Sequence, residues 1–215
     1  PTWGVVKRAL HISLPMGLQQ TIMCSAYVMT TIIIAPLGTF AIAANSFGVI
    51  VESLCYMPGY GIADAATTLV GQSIGAGRHE LMKRFAWLSV GFGVTVMAVM
   101  GVVMYVGAPV AMAMMTPAEE VRRLGVEVLR IEAFAEPMFA AAIVSYGVFV
   151  GAAKTLVPSI MNLVSIWGVR ISLAALLAPS MGLRGVWIAM CIELCFRGFI
   201  FLVKLKFWNI QTSCN

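Results

Sequence analysis

The sequence predicts an all-α integral membrane protein of six transmembrane helices, and three observations carry that prediction. Hydrophobic residues make up 60% of the 215-residue chain and charged ones only 11%, and mean hydropathy is +0.94, far from the composition of a soluble domain. A bilayer-spanning helix needs roughly 20 apolar residues. Six stretches meet that length, about 12–35, 46–72, 86–107, 128–150, 157–178 and 185–203, joined by short connections. The basic residues sit at the ends of these stretches, with a net charge of +5, and are not interleaved with aromatics along a polar face. That pattern sets membrane orientation and argues against a nucleic-acid partner.

The first stretch follows Lys7 and Arg8 and carries a polar stripe, Gln20, Cys24, Tyr27 and Thr31, at helical spacing. Such a stripe lines a cavity or bonds between helices. The second holds Glu52, Tyr56, Pro58, Gly59 and Gly61, then Asp64, and ends in Gly71-x-x-x-Gly75 before Arg78. Proline removes a backbone donor and clashes one turn back, so a helix in lipid accepts it where neighbours or a water-filled cavity satisfy the freed carbonyl. Pro58 is therefore expected to kink this span with Gly59 and Gly61 as a hinge, the alternative being a packing bend in a bundle.

Lys83 and Arg84 precede the third stretch. The fourth is entered through Glu119, Arg123, Glu127 and Arg130, whose spacing predicts an ion-pair ladder outside the bilayer, each pair contributing about 0.5 kcal/mol or less. Beyond it come Glu132, Glu136 and Pro137, the last a hinge or kink candidate like Pro58, then Gly147-x-x-x-Gly151, a spacing of small residues that allows close helix contact in lipid. Lys154 precedes the fifth stretch, which holds Arg170. Arg184 precedes the sixth, which holds Glu193 and Arg197 and is followed by Lys204 and Lys206. The positive-inside rule then places both termini in the cytoplasm of a multi-pass cell-membrane protein. Five cysteines, Cys24, Cys55, Cys191, Cys195 and Cys214, show no C-x-x-C pattern and suggest neither disulfide nor metal. The chain opens on Pro1 with no signal sequence, as a fragment or a processed product would.

Ionisable side chains at membrane depth cost at least ~2.5 kcal/mol and need a partner or a purpose. Glu193 and Arg197, four apart, are expected to neutralise each other. Arg170 has no local acid and must find one on another helix or reach an interface. Glu132 and Glu136 are read as one turn apart on one face, beside the carbonyl of Ala133 that Pro137 frees. Two carboxylates there suit a proton or a sodium ion; a salt bridge to Arg170 with Glu132 exposed at an interface is the alternative. Glu52 is the next candidate lining residue.

Asn45 to Arg78 resembles the second helix of a lobe in the multidrug and toxic compound extrusion (MATE) family of secondary transporters, in which a Pro-Gly segment leads into Val-Gly-Gln-x-x-Gly-Ala. Here those residues are Pro58-Gly59 and Val70-Gly71-Gln72-Ser73-Ile74-Gly75-Ala76. The other stretches fit the family in order, so the likeness covers essentially the whole chain. It implies one six-helix lobe of the multidrug, oligosaccharidyl-lipid and polysaccharide (MOP) superfamily over residues 1–215. The close of the last span at Lys204–Trp208 suggests the carboxy-terminal lobe. Its partner would be a second six-helix lobe, a missing amino-terminal half or a second chain.

The implied activity is antiport: export of an organic, often cationic, small molecule in exchange for Na+ or H+, with no cofactor beyond the coupling ion and no enzymatic step. In one branch of the family acids on the first and fourth helices form the cation site; Gln20 and Glu136 stand nearest those places, so Na+ would bind near Glu136. Glu52, Glu132, Tyr27 and Arg170 complete the candidate cation and substrate set. The family commonly reads Arg-Gly-x-Gly-Asp-Thr after the fourth helix, whereas this chain has Val150-Gly151-Ala152-Ala153-Lys154-Thr155, so a gate brace at Val150 and Lys154 would be altered. A lipid-linked oligosaccharide flippase of the same superfamily is the nearest alternative and would favour a basic cavity. An intramembrane protease would need a serine with a histidine in another span, but His11 and His79 fall at helix ends. A channel or purely structural subunit is a further reading, separated from the exporter by whether solute flux is coupled to an ion gradient.

Overall fold

Long apolar runs with no charge to solvate must satisfy every backbone group internally, and helices do so. The computed structural model describes residues 3–208, and the backbone alone at 4–9, 11, 12, 15, 16 and 19. Readings that rest on Pro1, on the Lys7, Arg8 and His11 side chains and on Cys214 lie outside the described residues.

Helix α1 spans Trp3–Ile34, α2 Thr39–Gly75, α3 His79–Met115, α4 Glu119–Glu132, α5 Glu136–Gly151 and α6 Leu156–Val164. A π-helical stretch, Ser165–Ile171, joins α6 to α7 at Ser172–Met181, and α8 is Leu183–Lys206. Among the described residues five helical segments are long and apolar enough to cross a bilayer, and the bent pair α4–α5 makes a sixth if taken as one span. The helices outrun the apolar stretches. At 37 residues each, α2 and α3 reach about 55 Å, because the hydrogen-bonded ladder continues where hydropathy ends.

The two membrane prolines, Pro58 and Pro137, sit in different surroundings. The stretch 128–150 is not one helix: α4 and α5 meet at a 59° bend. Pro137 lies in the first turn of α5, where its missing N–H matches a donor that would have no partner anyway, so the chain restarts there. Pro58, by contrast, does not end or interrupt α2. Beside Pro58, Gly59 is buried against Met97, and a Cβ added at Gly61 would meet open space.

The same bend separates Glu132, the last residue of α4, from Glu136, the first of α5. They close and open two helices, so the single shared face is also corrected. The freed carbonyl of Ala133 and the Cβ of Glu136 both press on Gly101 of α3; a Cβ added there would stand 2.7 Å from that carbonyl oxygen.

Helix α5 is the centre of the lobe. It packs on α2, α3 and α8, and most of its residues are buried. Gly147 and Gly151 let α2 approach within backbone contact at Ala63 and Thr67, and the Thr67 hydroxyl donates to the Gly147 carbonyl at 2.8 Å. Of the other small-residue pair, Gly71 touches the Gly151 carbonyl and Gly75 touches nothing. Helix α1 packs on α6, the π-helical stretch and α7, while Tyr27, Val28 and Ile32 remain exposed.

The ladder on α4 is made differently from its spacing. Arg123 reaches Glu127 at 3.9 Å, but the closer partner of Glu127 is Arg184 at 2.6 Å, brought from the start of α8. Arg130 instead lies over the Tyr105 ring at 5.2 Å. After α5 the chain turns through Ala153 at φ 57°, and the Lys154 amide donates back to the Phe149 carbonyl at 2.9 Å. That left-handed position favours glycine.

Candidate functional site: a polar cavity at membrane depth

A cavity of about 250 Å3 opens between α1, α2, the π-helical stretch and α8, with Phe139 of α5 as its floor. Its polar lining comes from Glu52 and Asn45 of α2, Tyr27 of α1, Arg170 of the π-helical stretch and Arg197 of α8. Tyr56 and Tyr60 add two rings packed edge to face at 5.5 Å, and Tyr56 also meets Phe139.

Each polar group is held by identifiable contacts. Trp187 donates its indole N–H to Asn45 Oδ1 at 3.1 Å, tying α8 to α2 across the cavity. Arg170 donates to the Met190 sulfur at 2.6 Å and lies over the Tyr27 ring at 5.9 Å. Arg197 pairs with Glu193 at 3.1 Å and faces the Phe139 ring at 5.5 Å. The expected Glu193–Arg197 neutralisation is thus made, and Ser165 strengthens it by donating to Glu193 at 2.6 Å. The π-helical turn is what brings both Ser165 and Arg170 to this side. Extra residues in a helical turn are a recurrent feature of functional sites.

Glu132 and Glu136 lie behind the lining. Each is only 1% exposed, so the reading of Glu132 as interfacial is corrected. Neither oxygen of Glu136, nor Oε2 of Glu132, has a hydrogen-bond partner among the described residues. No salt bridge joins Arg170 to a carboxylate among those residues, although its charge acts on Glu52 and Glu132. Glu136 is within electrostatic reach of Glu52, Cys55 and Tyr56. Among the described residues no group of three or more His, Cys, Asp or Glu side chains is arranged to hold a metal ion.

The sequence candidates therefore divide. Glu52, Tyr27 and Arg170 line the cavity, and the buried Glu132 and Glu136 do not. Gln20 does not belong there: it is exposed on α1, about two turns from Tyr27. Of its stripe only Tyr27 and Thr31 reach the lining, and Cys24 is exposed. Asp64 is exposed. Residues absent from the sequence candidates, Asn45, Trp187 and Tyr60, also form the lining, as does Arg197, read from the sequence as the partner of Glu193. Asn45 and Tyr60 fall in the polar positions of α2, but Trp187 carries no signal short of the α2–α8 contact.

The MatE family model matches residues 15–176. Among similar proteins, the "Probable multidrug resistance protein NorM" of Xylella fastidiosa strain Temecula1 is 29% identical over 196 residues, covering 90% of this chain and 42% of that protein. The Vibrio cholerae MATE transporter VcmN in its bent form superposes with a TM-score of 0.89 at 18% identity, over 96% of this chain and 47% of that one. A MOP superfamily transporter from Pyrococcus furiosus, described as having reverse polarity of its binding pocket and for that reason a suggested different function, gives a TM-score of 0.87 at 16% identity, over 93% and 44%. The chain spans about half the length of the relatives it matches. A helical lobe with this cavity and this extent of family match is a multi-pass membrane protein of the MatE family, a family of transporters and not of enzymes.

Proposed function

We propose that the chain forms half of a multidrug exporter of the cell membrane, which moves an organic, often cationic, compound outward in exchange for Na+ or H+. A second six-helix lobe would complete the central cavity, and the two would rock as rigid bodies about it. The observation that carries this reading is the imbalance of charge around Glu136. Arg197 is neutralised by Glu193, and the charge of Arg170 acts on Glu52 and Glu132 but leaves the buried Glu136 unanswered. Three carboxyl groups against one guanidinium cannot all stay ionised and unanswered at a depth where each uncompensated charge costs at least ~2.5 kcal/mol. A proton or a cation relieves that cost. If substrate and coupling ion compete for the same carboxylates, one ligand displaces the other, and that exclusivity supplies the coupling.

The test is Glu136→Gln in the complete transporter. Ion-coupled efflux from vesicles is expected to be lost while membrane insertion is retained; unchanged coupled efflux removes Glu136 from the mechanism. A second reading has one specific observation behind it. Arg170 and Arg197 both line the cavity, a polarity that would suit the phosphate of a lipid-linked oligosaccharide. The pairing of Arg197 with Glu193 weighs against it, and flux of an anionic lipid-linked substrate with no ion dependence would establish it instead.

A further inference from the structure

A second cleft, of about 400 Å3, lies at the far end of the lobe from the bent α4–α5 entry, between the first turns of α3 and the end of α8. Its walls are Lys83 and Trp87 of α3 and Lys206, Phe207 and Trp208 at the close of α8, over a base of Met82 and Leu205. The cleft is unlike the lipid-facing surface around it. Two lysines, Lys83 and Lys206, line it, and the buried indole N–H of Trp208 has no acceptor among the described residues. Trp208 is held in place by its ring packing on Phe149 at 5.2 Å.

These two segments also concentrate positive charge. Arg78, Lys83, Arg84, Lys204 and Lys206 stand against one acid, Glu80, which reaches Lys83 only at 3.8 Å from an 87% exposed position. Such a contact barely competes for the lysine in high dielectric. Tryptophan and lysine at the end of a membrane span sit at headgroup level. A basic pocket between transmembrane helices at that level is the arrangement that recognises acidic headgroups.

We propose that this cleft binds the headgroup of an anionic phospholipid, with Lys83 and Lys206 pairing its phosphate, the Trp208 N–H donating to a phosphate or glycerol oxygen, and Trp87 and Phe207 covering the upper acyl chain. The inference is independent of the transport reading. It concerns the opposite end of α3 from Gly101 and uses none of the cavity residues.

The experiment is native mass spectrometry of the detergent-purified chain titrated with phosphatidylglycerol or phosphatidylcholine. The chain is expected to retain phosphatidylglycerol about tenfold better, two lysines at a membrane surface being sufficient for that preference. Lys83→Gln with Lys206→Gln removes the preference. Arg84→Gln with Lys204→Gln, which takes away the same charge outside the cleft, leaves it intact. Trp208→Phe keeps the ring packing, removes only the N–H and lowers retention severalfold, so the proposal stays testable if the double lysine variant does not fold. Equal loss in both double variants, equal retention of the two lipids, or displacement of the lipid by millimolar inorganic phosphate overturns the proposal, the last outcome marking a site for free phosphate.

Discussion

Two pairs of ionisable residues four apart in sequence lie at membrane depth, and the lobe treats them in opposite ways. Glu193 and Arg197 sit within continuous helix α8, oppositely charged and 3.1 Å apart, with Ser165 donating to the carboxylate. Glu132 and Glu136 carry like charges, straddle the α4–α5 bend and leave three of their four oxygens without a hydrogen bond among the described residues. A buried pair that satisfies itself holds the structure in one arrangement. A buried pair that cannot satisfy itself has the property a transporter needs: its charge is answered by something that comes and goes.

The widest separation between the two pairs is expected in stability. Glu193→Gln leaves Arg197 buried without a counter-charge and should destabilise the lobe by about 3–5 kcal/mol, read from unfolding in detergent. A loss under about 1 kcal/mol would mean that Arg197 finds another acid and that the pair is not structural. Glu136→Gln should instead leave stability unchanged or raised, because it removes an unanswered charge, while coupled efflux in the complete transporter falls at least about tenfold, more than 1.4 kcal/mol in coupling. Marked unfolding of this variant would break the comparison, since Glu136 would then be a structural residue as well.

Smaller effects sharpen the contrast by moving outside the membrane interior. Ala153→Gly relieves a left-handed backbone at φ 57° and should raise stability by about 0.5–1 kcal/mol in the same unfolding assay. Arg184→Gln breaks a 2.6 Å ion pair whose partners are 48% and 31% exposed. It should cost no more than about 1 kcal/mol, and less in high salt. An Arg184 effect as large as that of Glu193→Gln would show that depth in the membrane is not what separates the two kinds of pair.

Much of the fold was legible because lipid enforces it. Apolar stretches of spanning length, the small-residue pair Gly147 and Gly151, and the Pro-Gly segment before Val70-Gly71-Gln72 each report a constraint that acts along the chain or across one helix contact. The site was legible in part. Glu52, Tyr27 and Arg170 reach the cavity as polar residues in apolar helices do, while Gln20 was misplaced because a stripe on α1 specifies a face but not how far along the helix the neighbours extend. Both Pro58 and Pro137 were read as kinks, and the helix breaks beside Pro137 while it continues through Pro58. Both prolines remove one donor, and only the packing around each decides whether the helix stops.

By itself the sequence determined that this chain is helical, that it lies in a membrane, which of its charges are costly, and the family to which it belongs. The first three follow from composition, period and local spacing, and the family from the resemblance of Pro58-Gly59 and Val70-Gly71-Gln72 to its motif. Only the tertiary structure decided which charges are answered. Whether Glu193 meets Ser165, whether Arg170 meets a carboxylate or the Met190 sulfur, and whether Glu132 and Glu136 share a helix depend on a π-helical turn and a 59° bend. These features rotate side chains around the helix axis by amounts that no linear pattern records, because their balance is struck between helices that are distant in the chain.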